Sequence, residues 1–454
     1  MHSAFTKTIQ PMGVTLVLCA LLAAVASRPT FAMELCVNSA GSNGCFSSIQ
    51  DAVNHASTNA VIQVAAGTYK EQVTIGIPLS LIGAGAQTTI IDATGLANGI
   101  FIDGFDHPGL HGVTVSGFTV ENALYEGVLV VSAAHVVVRD NAIVNNDAFP
   151  AVFTGANTGC PGQPGNGSYE TDETGDCGGA IHLVGAVHVL VSGNLVSGNA
   201  DGILISDETG ESRDNVVTKN TFQNNPKECG ITLASHPPSG HTSFPFAPHF
   251  GVDHNTIAEN VSSGNGVAIG GAGMGLFSDG AGPGKVSGNI VVGNILTGNG
   301  LGGVSLHTHV GPAFGLPADN MDGNIIVGNI IHSNLADLFD TATPGRVGIN
   351  INSGGGGSPV SGTVISRNTI WDEDIDIAIN TPAIVQVHQN NLLGGNIGVG
   401  NICAFDGGVC TGSSINAILN YWGCSAGPSE PGCTSISGSD ISYSPWLQHP
   451  ARGK

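Results

Sequence analysis

The sequence predicts an all-β chain wound as one parallel β-helix. Three observations predict it: a recurring corner of Gly and Asn, strands of three to five residues between the corners, and a Gly-rich composition poor in charge. The repeat is clearest from Asp201 to Asn334. Ser192-Gly-Asn-Leu-Val-Ser-Gly-Asn199 leads into Asp201-Gly-Ile-Leu-Ile-Ser206, and Thr218-Lys-Asn-Thr-Phe-Gln-Asn-Asn225 leads into Cys229-Gly-Ile-Thr-Leu-Ala-Ser235. Val292-Gly-Asn-Ile-Leu-Thr-Gly-Asn299 leads into Gly303-Val-Ser-Leu-His307, and Val327-Gly-Asn-Ile-Ile-His-Ser-Asn334 starts another round.

Each feature has a physical reason. Gly and Asn tolerate the left-handed backbone that tight corners need. Strands this short are not stable alone, so each coil must cover its neighbour. Alternation, as in Val304-Ser-Leu306, gives each strand one apolar face. Asn at one corner of successive coils can stack and hydrogen-bond along the axis. Taking Asn194, Asn220, Asn255, Asn294, Asn329, Asn368 and Asn391 as one corner gives spacings of 26, 35, 39, 35, 39 and 23. Short gaps read as one coil; long gaps read as a coil with a looped-out insertion, or two short coils.

Composition bounds the rest. The chain has 454 residues, of which 10% are charged, 41% are hydrophobic and 68 are Gly. This argues against a helical protein and for many turns, in one elongated domain. Residues 1–32 read as a secretory signal, with Lys7 in the basic region, Val14 to Ala26 as the apolar core and Thr30-Phe31-Ala32 as a cleavage site. No other stretch could span a bilayer. Removing the signal takes away Lys7 and Arg28 and no acid, so the charge becomes 10 − 34 = −24. Nucleic acid and anionic membranes are therefore poor partners.

Cysteine usage agrees with export. Four close pairs read as short-loop disulfides: Cys36 with Cys45, Cys160 with Cys177, Cys403 with Cys410, and Cys424 with Cys433. Cys229 is left over and is expected to be a buried free thiol.

In chain order, residues 33–100 read as an N-terminal cap and first coils. Residues 101–400 read as coils with inserted loops, and 401–454 as a closing segment. Ile49, Val53 and Ala56 give one apolar face to a short helix after Cys45, suited to covering the open end of the stack. Insertions are expected at Ala151 to Asp176, Pro237 to His249 and Gly311 to Asp322. Trp422 and Trp446 are expected to hide the last coil.

Gly67-Thr-Tyr-Lys-Glu71 followed by Leu79-Ser-Leu-Ile-Gly-Ala-Gly85 resembles the opening of pectin-lyase-like proteins. Asn420-Tyr-Trp-Gly-Cys424 and Tyr443-Ser-Pro-Trp-Leu447 resemble the closing motif of secreted β-helix repeat proteins. The resemblance implies a right-handed parallel β-helix and covers nearly the whole mature chain. It does not select an activity, because lyases, hydrolases, esterases, epimerases and NosD-like copper-maturation proteins share the fold. The Gly-His-Gly and Arg-Ile-Lys motifs of polygalacturonases, the Gln-containing motifs of pectin methylesterases and the Arg-x-Pro-x-x-Arg of pectate lyases are missing. Asp106-His107-Pro108 has the Asp-Pro-His of alginate epimerases in changed order, and no role carries over.

Candidate chemistry lies at successive strand ends. Asp207 and Glu208, then His236 and His241, then Asp279, then His307 and His309 would form one ladder if the coils are in register. Asp207 or Glu208 with Asp279 could supply the two carboxylates of glycoside hydrolysis. β-Elimination from a uronate needs a base and a cation, for which Arg213, Lys219 and Lys227 are at hand. His307 and His309 are candidate ligands of a divalent metal ion, and His249 and His254 add to the local histidine excess. The sequence therefore predicts a secreted or periplasmic protein that cleaves or binds a polysaccharide. The alternatives are a cell-surface adhesion module and a NosD-like metal-handling protein.

Overall fold

The computed structural model describes residues 33–146, 179–236, 249–268, 270–278, 283–308, 315–337, 344–353, 357–394, 396–402 and 412–452. The expected signal (1–32) and most of the expected insertions lie outside these residues.

Each coil visits three walls in turn. The first wall is a 14-stranded sheet running from Glu34–Val37 to Ile441–Ser442, and the second an 11-stranded sheet from Gly67–Tyr69 to Asn391–Leu392. The third has 12 strands, from Val73–Ile75 to Ser435–Ser437. A smaller sheet of Ser212–Arg213, Val252–Asp253 and Val286–Ser287 lies between the third wall and the first in chain order. Neighbouring strands pair in parallel, as Val191 with Val217, Val217 with Ile257 and Ile257 with Val291 show. Those four residues point inward and stack as one apolar column in the single large core.

Three ladders of buried Asn hold the corners. The corner between the first and second walls carries Asn141, Asn194, Asn220, Asn260, Asn294, Asn329, Asn368, Asn390 and Asn420. The corner between the second and third walls carries Asn146, Asn199, Asn225, Asn265, Asn299 and Asn334. The last joins Glu373, whose carboxylate accepts from both the backbone and the side-chain nitrogen of Asn334. Asn215, Asn255, Asn289 and Asn324 form the third ladder.

The Asn spacing read from sequence mixed two ladders. Asn255 belongs to the third; Asn260, five residues on, is the rung between Asn220 and Asn294. Asn390, not Asn391, follows Asn368. True rung separations from Asn194 are 26, 40, 34, 35, 39 and 22 residues, yet each is one coil. A three-residue strand with Asn at both ends presents two candidates per coil, and spacing alone does not choose between them. Close approach fixes one glycine: a Cβ on Gly202 would sit 1.9 Å from the Gly230 carbonyl oxygen of the next coil.

Both ends are covered. The helix Ile49–His55 buries Ile49, Ala52 and Val53, with Ser48 as its N-cap. Glu71, from the motif that resembled a β-helix opening, accepts from the Ser48 hydroxyl and the Ile49 and Gln50 N–H groups. The Gln50 amide pairs with both the N–H and the carbonyl of Thr74, imitating the strand that the edge of the third wall lacks. At the other end Trp422 is fully buried and Trp446 packs on the core.

Two of the four expected disulfides are formed among the described residues, Cys36 with Cys45 and Cys424 with Cys433. The other two expected pairs, Cys160 with Cys177 and Cys403 with Cys410, lie outside the described residues. Cys229 is a buried thiol whose sulfur accepts the Ala272 N–H at 3.1 Å. Among the described residues no helix is long and apolar enough to cross a membrane.

Truncating one rung tests the ladder. Asn294 receives the N–H and Nδ2 of Asn260 and donates Nδ2 to Ile257 O and Asn329. Asn294→Ala strands these buried groups and is expected to cost about 3 kcal/mol in denaturant unfolding. Leu195→Ala, on the exposed face of the second wall, is expected to cost under about 1 kcal/mol. Equal costs would remove the ladder from its stabilising role.

Candidate functional site

The first two walls bury only alternate residues, as in Val216–Thr218 and Thr221–Gln223. The third wall differs. Ile100–Asp103, Val128–Val131, Ile181–Val184, Ile203–Ser206, Ile231–Ser235 and Val347–Asn352 are buried at every position. On its outer face the early coils are apolar, with Phe101, Leu129, Val131 and Val184 forming their own cluster. From His182 onward the outer face turns polar: His182, Ser206, Thr232, Ser305, Asn350, Asn352 and Asn380 are all buried. A polar surface held out of water needs partners for its groups, which makes this face a specific structure.

At its centre is a chain of titratable side chains. Glu126 Oε1 lies 3.7 Å from His182 Nδ1, and His182 Nε2 lies 2.8 Å from Ser206 Oγ. With its amide nitrogen turned toward the carboxylate, Asn98 donates to Glu126. In the neighbouring coil Glu208 Oε1 lies 2.8 Å from His236 Nδ1, both side chains being at most 2% exposed. Burial works to raise the Glu208 carboxyl. The His236 imidazole outweighs it, helped by His182 and the Ser206 hydroxyl, and holds Glu208 below the ordinary glutamate range.

Asp207 does different work. Its Oδ1 accepts the His236 N–H at 2.7 Å, and its Oδ2 accepts the Ser235 hydroxyl at 3.1 Å and the Gly251 N–H. Ser235 in turn accepts the Lys285 N–H at 2.9 Å and lies 3.0 Å from His249 Nδ1. The same lock recurs further along, where Asp319 accepts from the Ser278 hydroxyl and the Gly284 N–H. Burial, then the neighbouring Glu208 charge, push Asp207 up to about 7 against the Gly251 and His236 N–H groups. Burial, with His236 nearby, lowers His249 to about 4.

The structure thus brings Asp207, Glu208 and His236 together, but the first two make different contacts. His307 is not beside them. Its register partner is Phe277, against which its ring packs at 4.2 Å, and Ser305 Oγ lies 3.3 Å from its Nδ1. By register it stands three coils beyond Ser206, roughly 14 Å at the usual strand spacing. His241, Asp279 and His309 lie outside the described residues. His254 is exposed at a corner. Two of the three cations expected for a uronate, Arg213, Lys219 and Lys227, stand in ion pairs: Arg213 with Glu211 and Asp214, and Lys219 with Glu259. Among the described residues no group of three or more His, Cys, Asp or Glu could hold a metal ion.

Sequence reasoning missed Glu126, His182 and Ser206. The signal for His182 was present: it is the one polar residue in Ile181-His-Leu-Val184, a strand too apolar to carry it without a partner.

Comparisons with known proteins bear on the winding. Residues 97–244 match the family model described as a right handed beta helix region, so the coil is right-handed. A comparison with curated proteins gives no match. The catalytic domain of a GH87 alpha-1,3-glucanase, solved as an aspartate-to-alanine form with tetrasaccharides, is 12% identical with a TM-score of 0.58 over 92% of this chain and 69% of that one. The catalytic unit of a thermostable GH87 alpha-1,3-glucanase from Streptomyces thermodiastaticus is 14% identical, with a TM-score of 0.50 over 94% and 71%. At these identities the likeness is one of fold.

The raised carboxyl of Asp207 gives a pH test. Its folded value of about 7 exceeds the ordinary 3.8. Its protonated form is therefore favoured by folding, a contribution complete below about pH 4 and lost as pH rises through about 7. His249, lowered to about 4, has the opposite sign over that range but is shared with the variant. The stability of wild type relative to Asp207→Asn is therefore expected to fall between pH 4.5 and 7.5 in paired thermal melts. A constant or rising difference would show that Asp207 is ionised throughout.

Proposed function

We propose that this protein is an exported carbohydrate-active β-helix that hydrolyses a neutral polysaccharide along the outer face of the third wall. The observation that carries the reading is the buried Glu208–His236 pair on that polar face, extended through Ser206 to His182 and Glu126. His236 keeps Glu208 ionised, which suits it to act as the base or nucleophile of glycoside hydrolysis. His236 is then the positioning group and Asp207 the lock that holds its backbone. We assign the second carboxylate to Asp279 from its place in the sequence: it follows Ser278, the register partner of Ser235, as His236 follows Ser235. The glucanases of like fold, one of them with tetrasaccharides, support a glycan as substrate.

Electrostatics favours hydrolysis over elimination. A uronate needs a cation to neutralise its carboxylate. Arg213, Lys219 and Lys285 are each held by carboxylates, and the whole chain carries a net charge of −22. Two local disulfides and the predicted leader support export. One observation favours a second reading, a glycan-binding module without turnover: Glu208 and His236 are almost fully shielded from solvent.

A product assay separates them. The purified protein is incubated with neutral and acidic polysaccharides, with and without chelator, scoring reducing ends and unsaturated uronate. The expected outcome is reducing ends from a neutral glycan, unaffected by chelator. Glu208→Gln is expected to lower the rate by about a hundredfold or more, and His236→Ala comparably, with circular dichroism unchanged. Unsaturated uronate, or full activity in both variants, would overturn the assignment; binding without product would select the second reading.

A further inference from the structure

A cleft of about 320 Å³ opens at the N-terminal cap, far along the chain from Glu208, lined by Gln50, Val53, Asn54, Thr74, Gly76 and His107 among others. It lies where the capping helix meets the edge strand Val73–Ile75 of the third wall. His107, from the motif Asp106-His107-Pro108 that matched no known catalytic order, supplies one wall.

The side chains here are set in place. Asp103 is buried, 4% exposed, and its Oδ1 accepts the Asp106 N–H at 3.0 Å. His107 Nδ1 faces the Asp103 carbonyl at 3.1 Å and the Asp103 carboxylate at 3.4 Å. Both neighbours accept only, so Nδ1 carries a proton, and in that tautomer of the imidazole Nε2 is the acceptor that faces outward from them. The ring lies flat on Gly76: a Cβ there would come within 2.5 Å of it. On the helix side, Gln50 spends its amide on Thr74 and on Asn54 Oδ1. That leaves Asn54 Nδ2 as a donor. The cleft therefore offers a fixed acceptor and a fixed donor beside the apolar Val53, Ala56 and Ile77.

That pattern selects its ligand. No cation lines the cleft, and the Asp103 carboxylate stands beside the imidazole, so an anion is disfavoured. A metal ion would meet one imidazole and an amide donor, which is too few ligands. A vicinal pair of hydroxyls can donate to His107 Nε2 and accept from Asn54 Nδ2 while its C–H face rests on the apolar strip. The volume is at the lower end for small-molecule sites, room for one or two sugar rings rather than a long chain. We infer that the N-terminal cap carries a second, non-catalytic site that binds one or two rings of a neutral saccharide between His107 and Asn54. This does not depend on what the third wall does.

Calorimetric titration of the full chain with glucose, maltose and cellobiose tests it. Saturable binding of at least one sugar at a single cap site is expected. Asn54→Ala and His107→Ala are each expected to weaken it about tenfold, with thermal melts unchanged. Gly76→Ala removes no polar atom yet displaces the His107 ring, and is expected to weaken binding comparably. Glu208→Gln is expected to leave this titration intact, which separates the cap from the third wall. No saturable heat with any sugar, binding unchanged in all three cap variants, or binding lost in Glu208→Gln would overturn the inference.

Discussion

The buried amide ladder is the constraint on which the rest of this solenoid depends. An Asn at a corner leaves its side chain inside, where an unpaired amide would be costly. In the interior of the ladder an Oδ1 accepts the backbone and side-chain nitrogens of the rung before it, and the Nδ2 reaches a carbonyl of a neighbouring coil, as Asn260, Asn294 and Ile257 show. The ladder therefore fixes axial register independently of loop length. Rungs separated by 22 residues and by 40 residues make the same contacts. That tolerance lets the third wall accept insertions while its strands stay aligned residue for residue from Ile203 to Ile349.

Alignment in turn determines what adjacent acids can do. Asp207 and Glu208 are neighbours in sequence, yet the first serves the corner and the second meets an imidazole. Their environments push their titrations apart, one up to about 7 and the other down, because burial and the Glu208 charge dominate at Asp207 whereas the His236 imidazole outweighs burial at Glu208. The separation is a property of register: one residue of slip would exchange the partners. Glu373 shows the same physics in a ladder, where a carboxylate takes the place of an amide and burial raises it to about 7.

Much of this was legible in the sequence. The Gly-Asn corners pointed to the solenoid, the apolar spacing of Ile49 and Val53 to the cap, and Trp422 to the closure. Glu208 and His236 were found because both end strands of the repeat. Three things were not legible. Asn255 and Asn260 flank the same short strand, Thr256–Ala258, so the repeat has two phases and spacing does not pick one. Glu126 and His182 belong together only because one coil covers the next, with a long insertion between them, so no local spacing links them. His307 falls in register with Phe277 rather than with His236, a two-residue difference that only pairing reveals.

The distribution of charge narrows the chemistry further than the fold does. Among the described residues, Lys70, Arg139, Arg213, Lys219, Lys285 and Arg346 each stand within ion-pair distance of a carboxylate. Such exposed pairs add little stability, but they leave those cations compensated in a chain with a large acid excess. An anionic glycan would find these six cations already paired. At the cap a neutral glycan would meet an imidazole already oriented by a buried carboxylate, His107 by Asp103, beside the Asn54 amide. At the cap the acid does not need to touch the sugar. It fixes the ring tautomer, and the ring then presents one defined hydrogen-bonding edge, which is what recognition of hydroxyls requires.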